Sequence, residues 1–191
     1  MSGVTNAAKR RVWSGAAGWR SRWTIPLVMT LVVPAVADAA VVNGSFDDGL
    51  DGWTADVARA EVPGTVEGVA GRAVLTENGS FVTNLEQGFL VPRGLVELSF
   101  EVEALAGFEV EEGGIPDAFE ARLVDASGAS LVAMCSPDGT GFFNLGEDGT
   151  ALAADGVTVD GTRVTLDMTG VPEGASVRLV FSLVGADAGA T

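Results

Sequence analysis

The chain has 191 residues, with 11 basic and 26 acidic side chains and no histidine, for a formal net charge of −15 at pH 7. Without an imidazole there is no Ser-His-Asp or Cys-His arrangement and no zincin motif, and the one cysteine allows no intrachain disulfide. The acidic balance repels nucleic acid and anionic membranes, which excludes both as partners.

The first forty residues differ from the rest. Lys9, Arg10, Arg11, Arg20 and Arg22 form a basic region, Ile25 to Ala37 is apolar apart from Thr30, and Asp38-Ala39-Ala40 closes the segment with small residues. This is the pattern of a secretory signal peptide. The apolar run is 13 residues long and interrupted by Pro34, against the roughly 20 residues a spanning helix needs. An uncleaved N-terminal anchor is the rival reading. Cleavage after Ala39 or Ala40 leaves residues 41–191 as one domain, secreted or at the cell surface, with no stable membrane span. That part carries six arginines, no lysine and 25 acids, a net charge of −19 (6 basic minus 25 acidic). Its length suffices for one core.

In chain order, the domain opens with "NGSFDDGLDGWTAD", residues 43–56, rich in Asp and Gly. Short strand candidates follow at Gly71 to Thr76 and Ser80 to Leu85. In "GLVELSFEVEAL" the alternation predicts Val96, Leu98, Phe100 and Val102 on a buried face, and Glu97, Ser99, Glu101 and Glu103 on the other. "DAFEARLVDASG" places Phe119, Ala121 and Leu123 inward, and Ser130 to Cys135 is a further short candidate with a half-buried thiol. "TRVTLDMTG" turns Val164, Leu166 and Met168 to one side, and "SVRLVFSLVG" does so with Val177, Leu179, Phe181 and Leu183. Turn signals separate the runs: Asn78-Gly79, Asp125 to Gly128, Pro137-Asp138-Gly139, Asp148-Gly149, Asp155-Gly156, Asp160-Gly161 and Pro172 to Gly174. No window after position 40 shows a helical period. Many short strands without helix predict an all-β, antiparallel β-sandwich or barrel. The tail "GADAGAT" has a loop composition, read either as a frayed end or as a domain lacking its last strand.

Sites were sought by residue chemistry. Paired carboxylates hydrolyse glycosides, but 25 acids make some pair inevitable, so an extracellular glycoside hydrolase is a distant alternative and the chain is read as not an enzyme. Tested against the EF-hand spacing from Asp47, position 3 is Gly49 and position 12 is Ala58, so two oxygen ligands are missing. A looser calcium site is left open. Sugar sites stack rings on exposed aromatics and bond hydroxyls with amides, acids or Arg. "GTGFFNLGEDG" carries Phe142 and Phe143, two adjacent rings that cannot both point into one face of a strand, with Asn144 following and Arg122 as a partner. The plainer alternative has one ring inward and one covering an edge.

"VVNGSFDDGLDGWTAD" resembles the opening of galactose-binding-like jelly-roll domains, including carbohydrate-binding modules, which often begin Asn-Gly-x-Phe-Glu and continue to Gly-Trp. The matching positions are Asn43, Gly44, Phe46, Asp47, Gly52 and Trp53. The resemblance implies a jelly-roll sandwich with Phe46 and Trp53 in the core. It also implies a structural Ca²⁺ near Asp47 and Asn43. "PDAFEARLVDASGASLV", "FFNLGEDG" and "VTLDMTGVPEGASVRLVFSLVG" look like domains of large secreted bacterial surface proteins. That likeness implies a non-catalytic binding or interaction module, with a polysaccharide or other extracellular surface component as partner. The alternative is a carbohydrate-binding module recognising a polysaccharide through Phe142, Phe143, Asn144 and Arg122. These jelly rolls commonly end on a strand with an Asp-Asp or Asp-Asn that supplies a further calcium ligand, and no such pair follows Val184.

Overall fold

A computed structural model of the chain describes residues 25–28, 41–103, 115–135, 141–146 and 148–186. The turn expected at Pro137-Asp138-Gly139 and the tail after Ala186 lie outside them. The described residues form twelve strands and no helix: β1 (Ile25–Val28), β2 (Thr54–Val57), β3 (Thr65–Gly68), β4 (Ala73–Thr76), β5 (Val82–Leu90) and β6 (Glu97–Val102). They continue with β7 (Ile115–Val124), β8 (Phe143–Gly146), β9 (Ala151–Ala153), β10 (Val157–Asp160), β11 (Arg163–Asp167) and β12 (Ser176–Ala186).

Two six-stranded sheets result. The first has the order β10-β11-β6-β1-β4-β3 and the second β2-β5-β12-β7-β8-β9. Every pairing is antiparallel. Residues of both sheets share one core, which is compatible with a β-sandwich. Phe100 of the first sheet lies 5.0 Å, centroid to centroid, from Phe181 of the second, edge to face, and 6.1 Å from Phe143. Such pairs add about 0.5–1.5 kcal/mol beyond area burial.

The expected inward faces hold on the inner strands. Leu98, Phe100 and Val102, then Phe119, Ala121 and Leu123, then Val164, Leu166 and Met168, then Val177, Leu179, Phe181 and Leu183 are all buried. Val96 departs from the expectation. It precedes β6, outside the ladder that enforces alternation, and is 53% exposed. The run from Ser130 to Cys135 is not a strand: a lone bridge joins Ser130 to Val124. β1, β2, β3, β8, β9 and β10 escaped the sequence reading. Four of them, β2, β3, β9 and β10, are sheet edges, where both faces meet water and apolar alternation fades; β1 and β8 are inner strands of four residues each, too short to show a period.

Ile25–Val28, from the apolar segment read as an export signal, occupies an inner position of the first sheet, between β4 and β6. The other ordered boundaries follow turn chemistry. The β10–β11 hairpin closes on Gly161-Thr162 with Asp160 opposite Arg163, and Gly161 takes a φ of 60°, the positive φ that puts glycine at the first central position of a type II′ two-residue turn.

The entry segment before β2 is a run of tight turns, closed by bonds from Phe46 N to Asn43 O, Gly49 N to Phe46 O and Trp53 N to Leu50 O. Phe46 sits at φ 55°, a left-handed conformation costing about 1–2 kcal/mol outside glycine. Burial of its ring offsets this by about 1.5–3 kcal/mol. The ring is 1% exposed and 5.2 Å from that of Trp53, which stacks 6.0 Å from Phe181. Both aromatics of the opening motif therefore belong to the core. Gln87 of β5 fastens the segment at both ends. Its amide oxygen accepts from Val42 N at 2.7 Å, and its Nε2 donates to Val42 O and Gly52 O at 2.9 and 2.8 Å. Gly68 is required where the segment crosses β3, because a Cβ there would run into the backbone of Gly49.

Candidate functional site on the outer face of the second sheet

Successive strand side chains point to opposite faces, so burying Ala121 and Leu123 turns Glu120 and Arg122 outward. On β12, burying Phe181 does the same for Ser182, and Phe143 of β8 does it for Asn144. The register then aligns four strands. Asn84 lies opposite Ser182, Ser182 opposite Glu120, and Glu120 opposite Asn144. Asp56 of the edge strand β2 stands opposite Asn84. A polar row thus crosses the outer face of the second sheet.

Ser182 is its hub. Its Oγ accepts from Arg122 Nη2 at 3.1 Å and donates to Asn84 Oδ1 at 2.7 Å, with the residue only 1% exposed. Beside it, Asn144 Nδ2 donates to Glu120 Oε1 at 3.4 Å. Arg178 Nη1 and Glu86 Oε1 form a half-exposed ion pair at 3.5 Å on the same face, a contact of the kind worth at most about 1 kcal/mol. The Nε atoms of Arg122 and Arg178 are buried with no hydrogen-bond partner among the described residues. A buried donor without a partner costs about 1–3 kcal/mol, so the row holds unspent hydrogen-bonding capacity. A separate hollow of about 390 Å³ is lined by Pro92, Val96, Val171 and Pro172, and Glu173 is the one titratable group among its described lining residues.

The structure brings Arg122 and Asn144 onto one face and corrects the expectation for the aromatic pair. Phe142 and Phe143 are each 1% exposed, with rings 6.3 and 6.1 Å from Phe100. Neither is a surface platform for a sugar ring. Strand alternation does not govern this pair, because β8 begins only at Phe143. Phe142 lies before the ladder and swings inward, its N–H bonded to Ala121 O and its carbonyl to Ala154 N. Ser182, Asn84 and Glu120 were not singled out from sequence. The inward Phe181 already implied an outward Ser182; the cross-strand neighbours had no sequence signal.

In the entry segment, Asn43 and Asp47 have different surroundings. The Asn43 Nδ2 donates to Gly49 O and Asp51 O, both at 3.1 Å, and its Oδ1 accepts from Asp48 N at 3.3 Å. Its amide thus ties up carbonyls that a cation would use. Asp47 is exposed, and its Oδ2 accepts from Ser45 Oγ at 2.7 Å. Among the described residues, no group of three or more Asp, Glu or Cys side chains is arranged to hold a metal.

Three aspartates serve turns. Asp125 accepts from Ser127 Oγ and from the amides of Ser127 and Ala129, Asp148 from Thr150 N, and Asp167 from Thr169 N. These bonds hold each carboxyl below its ordinary value of 3.8, led by the Ser127 hydroxyl at Asp125 and by the backbone amides at the other two. Burial, with the Glu120 charge adding to it, pushes the Cys135 thiol up, which disfavours the nucleophilic thiolate.

Among the described residues, no helix is long and apolar enough to cross a membrane. Compared with family models, curated proteins and solved structures, the chain matches none of them.

Proposed function

We propose that this chain is a non-catalytic, secreted or cell-surface binding module, built as a jelly roll of the galactose-binding-like type. The observation that carries the reading is the polar row across the second sheet, where Arg122, Asn84, Glu120 and Asn144, set about the buried Ser182, combine guanidinium, amide and carboxylate groups on one face. Such a mixed set of donors and acceptors suits a polar, extended partner at an extracellular surface. The acidic charge favours an uncharged or cationic one. The second reading, polysaccharide recognition, rests on the same row with Arg122 and Asn144 bonding sugar hydroxyls and without ring stacking by Phe142 or Phe143.

A glycan array probed with the full-length chain and with the double variant Arg122→Ala/Asn144→Ala separates these readings. Hits that disappear in the double variant support polysaccharide binding by this face. A silent array removes the sugar and leaves the interaction module. Release of reducing ends by the wild-type chain would overturn the non-catalytic reading altogether.

A structural Ca²⁺ at the entry segment is the remaining part of the proposal. Asp47 would be its side-chain ligand, with Asn43 acting as a fixed hydrogen-bond donor to the loop instead of a ligand. Millimolar Ca²⁺ should raise the melting temperature of the wild type and leave Asp47→Ala unchanged. An equal response in both would remove the metal from this loop.

A further inference from the structure

Two stretches of the chain match Asn-x-Ser/Thr, the acceptor pattern for N-linked sugar: Asn43-Gly44-Ser45 and Asn78-Gly79-Ser80. Their backbones are alike. Asn43 and Asn78 both lie in turns and take a left-handed φ, 49° and 51°. Their side chains differ.

An N-glycosidic bond replaces one of the two hydrogens on Nδ2, so an acceptor asparagine keeps a single hydrogen for the fold. Asn43 uses both. Its Nδ2 donates to Gly49 O and to Asp51 O, each at 3.1 Å, and Gly44 beside it is buried. Sugar on Asn43 would break the entry segment. Asn78 uses one. Its Nδ2 donates to Pro63 O at 2.9 Å across an exposed turn, and Gly79 beside it is exposed.

The surroundings of Asn78 also suit sugar. Gly79 N donates to Val62 O at 2.9 Å, which brings Glu61, Val62 and Pro63 alongside the turn, and all three are exposed. Val62 is 56% exposed, and Phe81, two residues beyond Gly79, is 51% exposed. An attached sugar shields this apolar surface from water, and an exposed aromatic ring is a stacking surface for a sugar ring.

We propose that Asn78 is an N-glycosylation site of the exported chain and that Asn43 is not. The inference rests on the secreted reading, because the sugar is added on the export route. The donor is a lipid-linked oligosaccharyl diphosphate. Asn78 Nδ2 bonds to the anomeric carbon, and the bond from that carbon to the diphosphate oxygen breaks. The lipid diphosphate leaves with the electron pair, Nδ2 gives up one proton, and nothing is oxidised or reduced. Ser80 fixes the timing. In the folded chain its hydroxyl donates to Ala58 O at 2.6 Å and accepts from Gly64 N at 2.8 Å, and the residue is 1% exposed. The hydroxyl of the acceptor pattern is thus out of reach after folding, so transfer precedes closure of this turn.

The test is mass spectrometry of tryptic peptides from the full-length chain, recovered from the medium and surface of the cells that make it. The peptide of residues 73–93 should carry the added mass of hexoses or N-acetylhexosamines on Asn78, and the peptide ending at Arg59 should be bare at Asn43. Asn78→Gln should lose the modification completely, whereas Ser80→Thr, which keeps the hydroxyl and the pattern, should retain it. An exported chain bare at Asn78 overturns the proposal and leaves the secreted reading standing. A chain found only inside the cell with residues 1–40 attached overturns both. Sugar on Asn43 of the folded, exported chain also overturns the proposal. Should Asn78→Gln fail to be exported, fragmentation of the wild-type peptide decides the matter: added mass on Asn78 supports the proposal, and added mass on Asn84 overturns it.

Discussion

β12 and β1 occupy matching places, each an inner strand between two neighbours that run parallel to one another, yet they are held very differently. β12 pairs with β5 from Ser176 to Val184 and with β7 from Arg178 to Ala186, and it buries Val177, Leu179, Phe181 and Leu183. Among the described residues, β1 is paired through three residues to β4 and two to β6. An inner position is thus defined by its neighbours and not by the strand that fills it. Where the occupant is long and alternating, the ladder and the core reinforce each other.

The largest expected effect tests the strong side of this contrast. Val180→Pro, in the middle of β12 and paired on both sides, removes a ladder bond and forces the backbone, at a cost of about 3 kcal/mol or more. Against a total stability of about 5–15 kcal/mol, urea unfolding should show a strongly lowered midpoint or no cooperative transition. A near-wild-type midpoint would mean that β12 is not the keystone of its sheet.

Gln87→Leu comes next. It deprives Val42 N, Val42 O and Gly52 O of partners, and the loss should be about 2–3 kcal/mol, since a buried polar group left unpaired costs about 1–3 kcal/mol. Thermal melting measures it directly. The same variant asks whether the entry segment is anchored to the second sheet through Gln87: amide exchange at Val42 should rise far more than at β12.

Leu27→Pro should have a smaller effect, about 1 kcal/mol, because locally held segments open at a fraction of the global free energy. A loss as large as that of Val180→Pro would erase the distinction between the two inner positions.

The smallest effect concerns pH. Asp125, Asp148 and Asp167 have lowered carboxyl pKa values in the folded chain. Their contribution is therefore fully present above the unfolded value near 3.8 and is lost as pH falls through the lower folded values. Asp148 and Asp167 are exposed and Asp125 is half-exposed, so screening keeps the contribution slight. Melting temperatures between pH 2 and pH 6 should fall less steeply on the acid side in the triple Asn variant than in the wild type.

Four inner strands were legible because burial of one face imposes alternation on them. β6, β7, β11 and β12 announced themselves through Phe100, Phe119, Val164 and Phe181, and the Asp-Gly turns marked the breaks between them. The edges β2, β3, β9 and β10 left no such trace, since residues such as Thr54, Glu67, Leu152 and Val159 meet solvent or only half cover the core. For the site, Arg122 and Asn144 were visible as residue types suited to polar recognition. That they share one face with Ser182 and Asn84 depends on register across four strands, and register is not written in any one of them.

By itself the sequence determined an all-β chain, a first forty residues that are basic and then apolar, and no imidazole chemistry, because composition and period-2 burial act locally; the core places of Phe46 and Trp53 were implied by the resemblance of the opening motif. Only the tertiary structure decided that Phe142 turns inward beside Phe143, that Gln87 fastens the entry segment, and that Ile25–Val28 lies between β4 and β6. Each of these depends on which distant strand happens to be the neighbour, and pairing between remote segments is settled by the whole core rather than by the residues that pair.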